Sequence, residues 1–177
     1  MVVDVPDDPD DPDSAPGDVT ISPADTDDAD RLADLWVDLA ADQRRHGSHL
    51  GAGANREAIH ETMLRHVVTD TVRLAERAGA VVGFVTFGAE SGRYSQDVVR
   101  GTIHNVYVRP ADRNEGVGSA LLAAAERELA SRGVEVVALE AMARNDAARS
   151  FYARHGYAPH RIELEKPIND DTLSGDS

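Results

Sequence analysis

The stretch from Thr102 to Ala141 constrains the fold more than any other part of the chain. A β-rich segment, Thr102 to Val108, leads into a turn that carries Gly116 and Gly118, and a helical stretch runs from about Gly116 to Ser131. Gly133 lies where a helix commonly stops, and Val134 to Ala141 is nearly all apolar. A strand that turns directly into a helix and returns as an apolar strand builds an α/β layer, and the apolar run predicts a central strand covered on both faces.

The preceding residues supply the other layer. Val19 to Ile21 reads as a short first strand, and Ala29, Leu32, Leu35, Trp36 and Leu39 recur at helical spacing within Asp25 to Arg45. Asn55 is placed to cap a second helix with Ile59, Met63, Leu64 and Val67 on one face. Thr71 to Glu76 and Ala80 to Ala89 predict a hairpin joined by Arg77-Ala78-Gly79. Asn145 to His155 predicts a last helix ended by Gly156, and Arg161 to Glu165 a returning strand. Hairpins followed by a strand–helix–strand–helix unit make a mixed α/β sheet with flanking helices.

Residues 1–18 are mostly Asp, Pro and Val, a composition that cannot bury enough apolar area to offset its ordering entropy. They read as a solvated tail, and 170–177 as a second one, leaving one domain over residues 19–169. The 177-residue chain has no cysteine, which removes disulfide scaffolds, zinc ribbons and thiol nucleophiles. No apolar run approaches the ~20 residues of a membrane span, and the acidic start lacks the positive charge of a secretory signal, so the expected address is the cytoplasm. With 32 acids against 18 bases, a nucleic-acid surface is not expected. Lys166 is the only lysine, and 21 of the acids are Asp. Short, strongly hydrated carboxylates on a lysine-poor surface suit a halophile's protein in molar salt, where the Debye length is ~3 Å.

The joint Arg113-Asn114-Glu115-Gly116-Val117-Gly118-Ser119 follows a strand and opens a helix, so free N–H groups and the positive end of the helix dipole converge on it. The glycines admit a diphosphate or merely permit a tight turn. No Gly-Lys-Ser/Thr ending is present, and the three-glycine dinucleotide fingerprint is incomplete.

Three blocks in order resemble the GNAT superfamily of acyl-CoA-dependent N-acetyltransferases. These are Asn105-Val106-Tyr107-Val108-Arg109-Pro110, the Arg113 to Gly118 turn, and Leu139-Glu140 followed by Asn145-Asp146-Ala147-Ala148-Arg149-Ser150-Phe151-Tyr152-Ala153-Arg154-His155-Gly156-Tyr157. The resemblance implies a mostly antiparallel sheet whose one parallel pair splays to admit the pantetheine of acetyl-CoA. It places Val106, Tyr107 and Val108 along that arm and Arg113, Asn114, Glu115, Gly116, Val117, Gly118 and Ser119 at the diphosphate, with Asn145 also on the cofactor. Asn114 suits a left-handed backbone there, and Glu115 must point outward to spare the anion. Tyr152 matches the family's general acid, its alternative being an aromatic packed beside Phe151 and Tyr157. Glu140 matches a base used by some members, or forms an ion pair; His104 is the other base, acting through a water. No metal is implied, and His46, His49, His60 and His66 do not make a metal set. His46 and His49, with Arg44, Arg45 and Ser48, fall in the loop where this fold builds its acceptor pocket. The implied acceptor is a small-molecule amine or a protein amino group, with a homodimer possible and a non-catalytic acyl-CoA sensor as the rival. The salt reading makes one prediction independent of the family: the thermal unfolding midpoint rises between dilute and molar KCl, and a flat or falling midpoint refutes it.

Overall fold

A computed structural model describes residues 16–90 and 96–168. Residues 1–15 of the N-terminal tail and all of 170–177 lie outside the described residues. The described chain forms β1 (Val19–Pro23), α1 (Ala29–Arg44), α2 (Arg56–Val68), β2 (Val72–Arg77), β3 (Ala80–Ala89), β4 (Arg100–Val108), α3 (Val117–Ser131), β5 (Val136–Leu139) and α4 (Asp146–Arg154). The sheet order is β1-β2-β3-β4-β5, antiparallel throughout except for the parallel β4–β5 pair. This is the mixed sheet with flanking helices that the sequence predicts.

Alternation along β2, β3 and β4 sends side chains to two opposite cores. On one face Leu32, Leu35, Trp36 and Leu39 of α1 and Met63 of α2 pack on Val72, Leu74, Phe84 and Tyr107. On the other, Leu121, Leu122, Ala125 and Leu129 of α3 pack on Ala75, Val85, Phe87 and Ile103, with Phe151 and Tyr152 of α4 against the same cluster. The β2–β3 turn uses positive φ at Ala78 and Gly79, the primed geometry that matches strand twist.

Two expectations fail at the sheet's far edge. Val134 to Ala141 is not a central strand: β5 is four residues long, pairs with β4 alone among the described residues, and leaves Val136 43% exposed. An apolar run looks the same whether or not a further strand covers it, so composition could not separate the cases. Arg161 to Glu165 makes no strand pairing and is exposed throughout.

Gly83 of β3 lies tightly between β4 and α3. A Cβ there would meet the Tyr107 carbonyl oxygen at 2.5 Å and Leu121 Cδ1 at 3.2 Å. Relief would require backbone movement in the middle of the sheet. Gly83→Ala should therefore cost roughly 1–3 kcal/mol, the usual range for overpacking, and lower the urea midpoint without changing the slope; an unchanged midpoint contradicts this packing.

Candidate functional site

The site begins where β4 and β5 part. Their parallel pairing runs from Arg100↔Val136 to Ile103↔Leu139 and stops. At the same level the β3–β4 register shifts, Thr86 facing Asn105 and Phe87 facing Ile103, so His104 is the extra residue of a bulge. A bulge bends its strand and increases its twist, which carries the rest of β4 away from β5. Arg109 N–H donates to the Val82 carbonyl on β3. With a strand period of two, the backbone groups of Asn105 and Tyr107 also face β3, and those of Val106 and Val108 face the gap. Tyr107 is 5% exposed and its ring belongs to the α1–α2 core, so its side chain is not free to touch a ligand in the gap.

Below the gap, the turn into α3 has Asn114 at φ 62°, the left-handed conformation anticipated for it, and Gly116 at φ 87°, which a glycine adopts without strain. Among the described residues no side chain caps this helix start, so there its first N–H groups have neither a helical partner nor a side-chain acceptor. The charged neighbours are turned aside. Glu115 Oε2 lies 2.8 Å from Arg77, which also binds Asp112 and Asp18. Arg113 Nε donates to the Val108 carbonyl at 2.9 Å, its guanidinium lies 3.2 Å from Asp42 of α1, and it stacks 5.6 Å from the Tyr107 ring centre. Arg113 thus latches the turn to α1, an arrangement its sequence position did not disclose.

The C-terminal half of α4 packs onto the start of α3. A Cβ on Gly118 would meet Phe151 Cζ at 3.4 Å, so this glycine serves close helix packing as well as any ligand. His155 Nδ1 donates to the Phe151 carbonyl at 2.8 Å, leaving Nε2 to accept from Ser119 Oγ at 3.0 Å. Asn145 caps α4, its Oδ1 accepting from Ala148 N–H at 3.0 Å. That cap engages the side chain of a residue the family resemblance places on the cofactor. Tyr152 follows Phe151, edge-on to it and to Tyr157. Burial pushes the Tyr152 phenol up to about 12, so it holds its proton at neutral pH.

On the opposite side of the gap, the paired Ile103 and Leu139 bring the next residues, His104 and Glu140, side by side. Burial lowers the His104 pKa and the Glu140 carboxylate opposes that shift. Glu140 is exposed, just past the end of β5, although the apolar run before it suggests burial. Behind His104 stands His66 of α2, ring centres 5.8 Å apart, with Nδ1 2.7 Å from Thr71 Oγ1. Nothing in the sequence marked His66 for this place. The loop carrying His46 and His49 lies beside the segment after β5, Gly47 approaching Met142 and Arg144.

The matched family is that described as Acetyltransferase (GNAT) family, over residues 34–157. The chain belongs to the GNAT acetyltransferase family. Among curated relatives, an aminoalkylphosphonate N-acetyltransferase of Salmonella typhimurium is 32% identical over 96 residues, which are 54% of this chain and 62% of that protein. A mycothiol acetyltransferase of Amycolatopsis mediterranei is 35% identical over 95 residues, 52% of this chain and 31% of that one. The alignments thus leave more than a third of each relative's length unmatched. A solved GCN5-related N-acetyltransferase from Ralstonia eutropha JMP134 superposes with a TM-score of 0.68 at 27% identity, covering 85% of this GNAT chain and 98% of its own. Among the described residues, no helix is long and apolar enough to cross a membrane.

The His66 environment makes a pH prediction. Burial, then the charges of His104 and Arg65, lower His66 to about 4 from an ordinary 6.5. The unfolded state therefore binds more protons between these values, and the contribution to stability is complete above pH 6.5 and lost as pH falls through 4. A carbon-resolved NMR titration should put the His66 midpoint near 4; a midpoint near 6.5 would show that the ring is solvated.

Proposed function

We propose that this GNAT protein is an N-acetyltransferase that moves an acetyl group from acetyl-CoA directly to an amine, within one domain over residues 19–169. The observation that supports the reading is the packing of α4 on the start of α3, with Phe151 against Gly118 and Tyr152 against the same core cluster as Val117. Acetyl-CoA would supply an activated thioester; the protein supplies position and proton management.

The diphosphate is assigned to the N–H groups from Asn114 to Ser119, where two glycines keep the approach open and the helix dipole favours an anion. Glu115 is drawn off by Arg77, so it does not oppose the ligand. Arg113, already satisfied by Asp42 and Val108, contributes by holding the turn rather than as a free cation. The pantetheine lies along the gap-facing edge of β4, with the Val106 N–H as donor to the oxyanion that develops on the thioester carbonyl. As the amine nitrogen bonds to that carbon and the carbon–sulfur bond breaks, Tyr152 O–H faces the departing sulfur. His104, supported by Glu140, takes the ammonium proton through a water, which its neutral imidazole permits.

The acceptor is a small-molecule amine, supported by the named substrates of the matched relatives; a protein amino group is the other outcome. We assign the protein to the cytoplasm of a halophile on its charge and composition. The test follows free thiol while the protein is incubated in molar KCl with acetyl-CoA and a panel of aminoalkylphosphonates, amino-sugar conjugates, polyamines and peptides. Thiol release with one class identifies the acceptor, whereas tight binding without release identifies a sensor. Tyr152→Phe should lower kcat by on the order of 10²–10⁴, the usual contribution of a positioned acid, with the affinity for acetyl-CoA retained. Wild-type turnover in that variant removes Tyr152 from the chemistry.

A further inference from the structure

His66 is a half-buried imidazole for which the proposed reaction has no use. Its ring centre nonetheless lies 5.8 Å from that of His104, the proposed base. His66 sits in the last turn of α2, just before the start of β2. Its Nδ1 lies 2.7 Å from the hydroxyl of Thr71, which is buried and lies 2.8 Å from the hydroxyl of Thr69. Thr69 Oγ1 in turn reaches the Arg65 carbonyl at 2.8 Å.

Each hydroxyl has a single proton, and that sets the direction of this chain. The Arg65 carbonyl only accepts, so Thr69 donates to it. Thr69 Oγ1 then accepts from Thr71, whose other acceptor, the His66 carbonyl, is farther away at 3.4 Å. Thr71 has no proton left for the imidazole, so His66 Nδ1 carries the hydrogen and donates to Thr71. In the neutral ring Nε2 is therefore an acceptor. Among the described residues no group donates to that nitrogen. The ring also stays neutral at ordinary pH, because burial, then the charges of His104 and Arg65, lower it to about 4.

His104 meets this acceptor on one side and the open site on the other. It is the exposed extra residue of the β4 bulge, with Nε2 over Gly88 of β3, 3.5 Å from where a Cβ on Gly88 would stand. The charged groups acting on the pair are Glu140, past the end of β5, on His104, and Arg65, on α2, on His66. Ring centres 5.8 Å apart place the two imidazoles within one water of each other. The partner of one imidazole nitrogen decides which of the two carries the proton. We propose that His66 is a positioning residue for His104: its fixed lone pair, acting through a water, holds the His104 proton on the nitrogen nearer α2 and leaves the other nitrogen to take a proton from the amine. This rests on His104 as the base and supplies the reason for a single tautomer. Once His104 has gained the proton, the His66 lone pair and the Glu140 carboxylate both favour the cation.

The full chain carrying nitrogen-labelled histidine, without acetyl-CoA, reports both tautomers through long-range proton–nitrogen NMR spectra at neutral pH. His66 should be the Nδ1–H form and His104 a single tautomer. Thr71→Val removes the hydroxyl that fixes His66, and both rings should become tautomer mixtures; Thr71→Ser keeps the hydroxyl and should leave them unchanged. His66→Phe should release the His104 preference. If the His104 nitrogen shifts are the same in the wild type, His66→Phe and Thr71→Val, the proposal is overturned, since a role confined to closing α2 gives that result. With an acceptor amine, His66→Phe should lower kcat on the order of tenfold, the lower end for outer partners that orient a ligating histidine, with the KM for acetyl-CoA unchanged. The acid limb of kcat/KM should move to lower pH, because the variant lacks the acceptor that favours the charged ring; an unmoved limb also overturns the proposal. His104→Phe separates the two readings. Wild-type turnover in that variant removes His104 as the base and the role of His66 with it, whereas a large loss there beside unchanged His104 shifts in His66→Phe strikes the positioning role alone.

Discussion

The parting of β4 from β5 governs everything else in this molecule. Four paired residues on each strand hold them together, and then the bulge at His104 turns β4 away. Without the bulge, β4 would continue in register, and the Val106 and Val108 backbone groups would be consumed by a ladder. With it, they are left facing a gap that α3 and α4 floor from one side. The same divergence sets the chemistry of the rim, because the last paired residues are Ile103 and Leu139 and the first unpaired ones are His104 and Glu140. A single irregularity in strand pairing thus creates both the gap and the His104–Glu140 pair beside it.

Beside that slot, the protein disposes of its own charges before any ligand arrives. Arg77 collects Asp18, Asp112 and Glu115, and Arg113 is divided between Asp42 and the Val108 carbonyl. What remains for an anion is main-chain N–H and helix dipole. Such donors act at contact distance and need no long-range field, so they keep their value where salt screens exposed charges within a few ångströms. A chain with a formal charge of −14 can thus offer an anion site without a cationic surface.

Much of this was legible in the sequence because it is local. The hairpin through Arg77-Ala78-Gly79, the left-handed Asn114, and the start of α4 at Asn145 each depend on a few adjacent residues, and each is present. The features that were not legible depend on long-range pairing. Arg113 meets Asp42, 71 residues away, and no local pattern announces that. Glu140 follows an apolar run, which suggested burial, yet the run ends at an open edge and leaves the carboxylate exposed. Ile162 and Leu164 alternate as a strand should, but alternation states only that a strand face exists and says nothing about which strand covers it.

The raised phenol of Tyr152 sharpens its assignment. An isolated thiol gives up its proton near 8.5, and a phenol held near 12 would transfer a proton to such a thiolate only uphill. The shift on Tyr152 arises from burial, however, and under the proposed reaction the departing sulfur would share that partly buried site, where a thiolate loses hydration and its own proton affinity climbs. The two shifts have the same sign and partly cancel. Tyr152 is therefore suited to a hydrogen bond that strengthens as negative charge gathers on sulfur, with the proton moving late, and a polar pocket that returned the phenol to its ordinary range would also remove the reason for the thiolate to accept it.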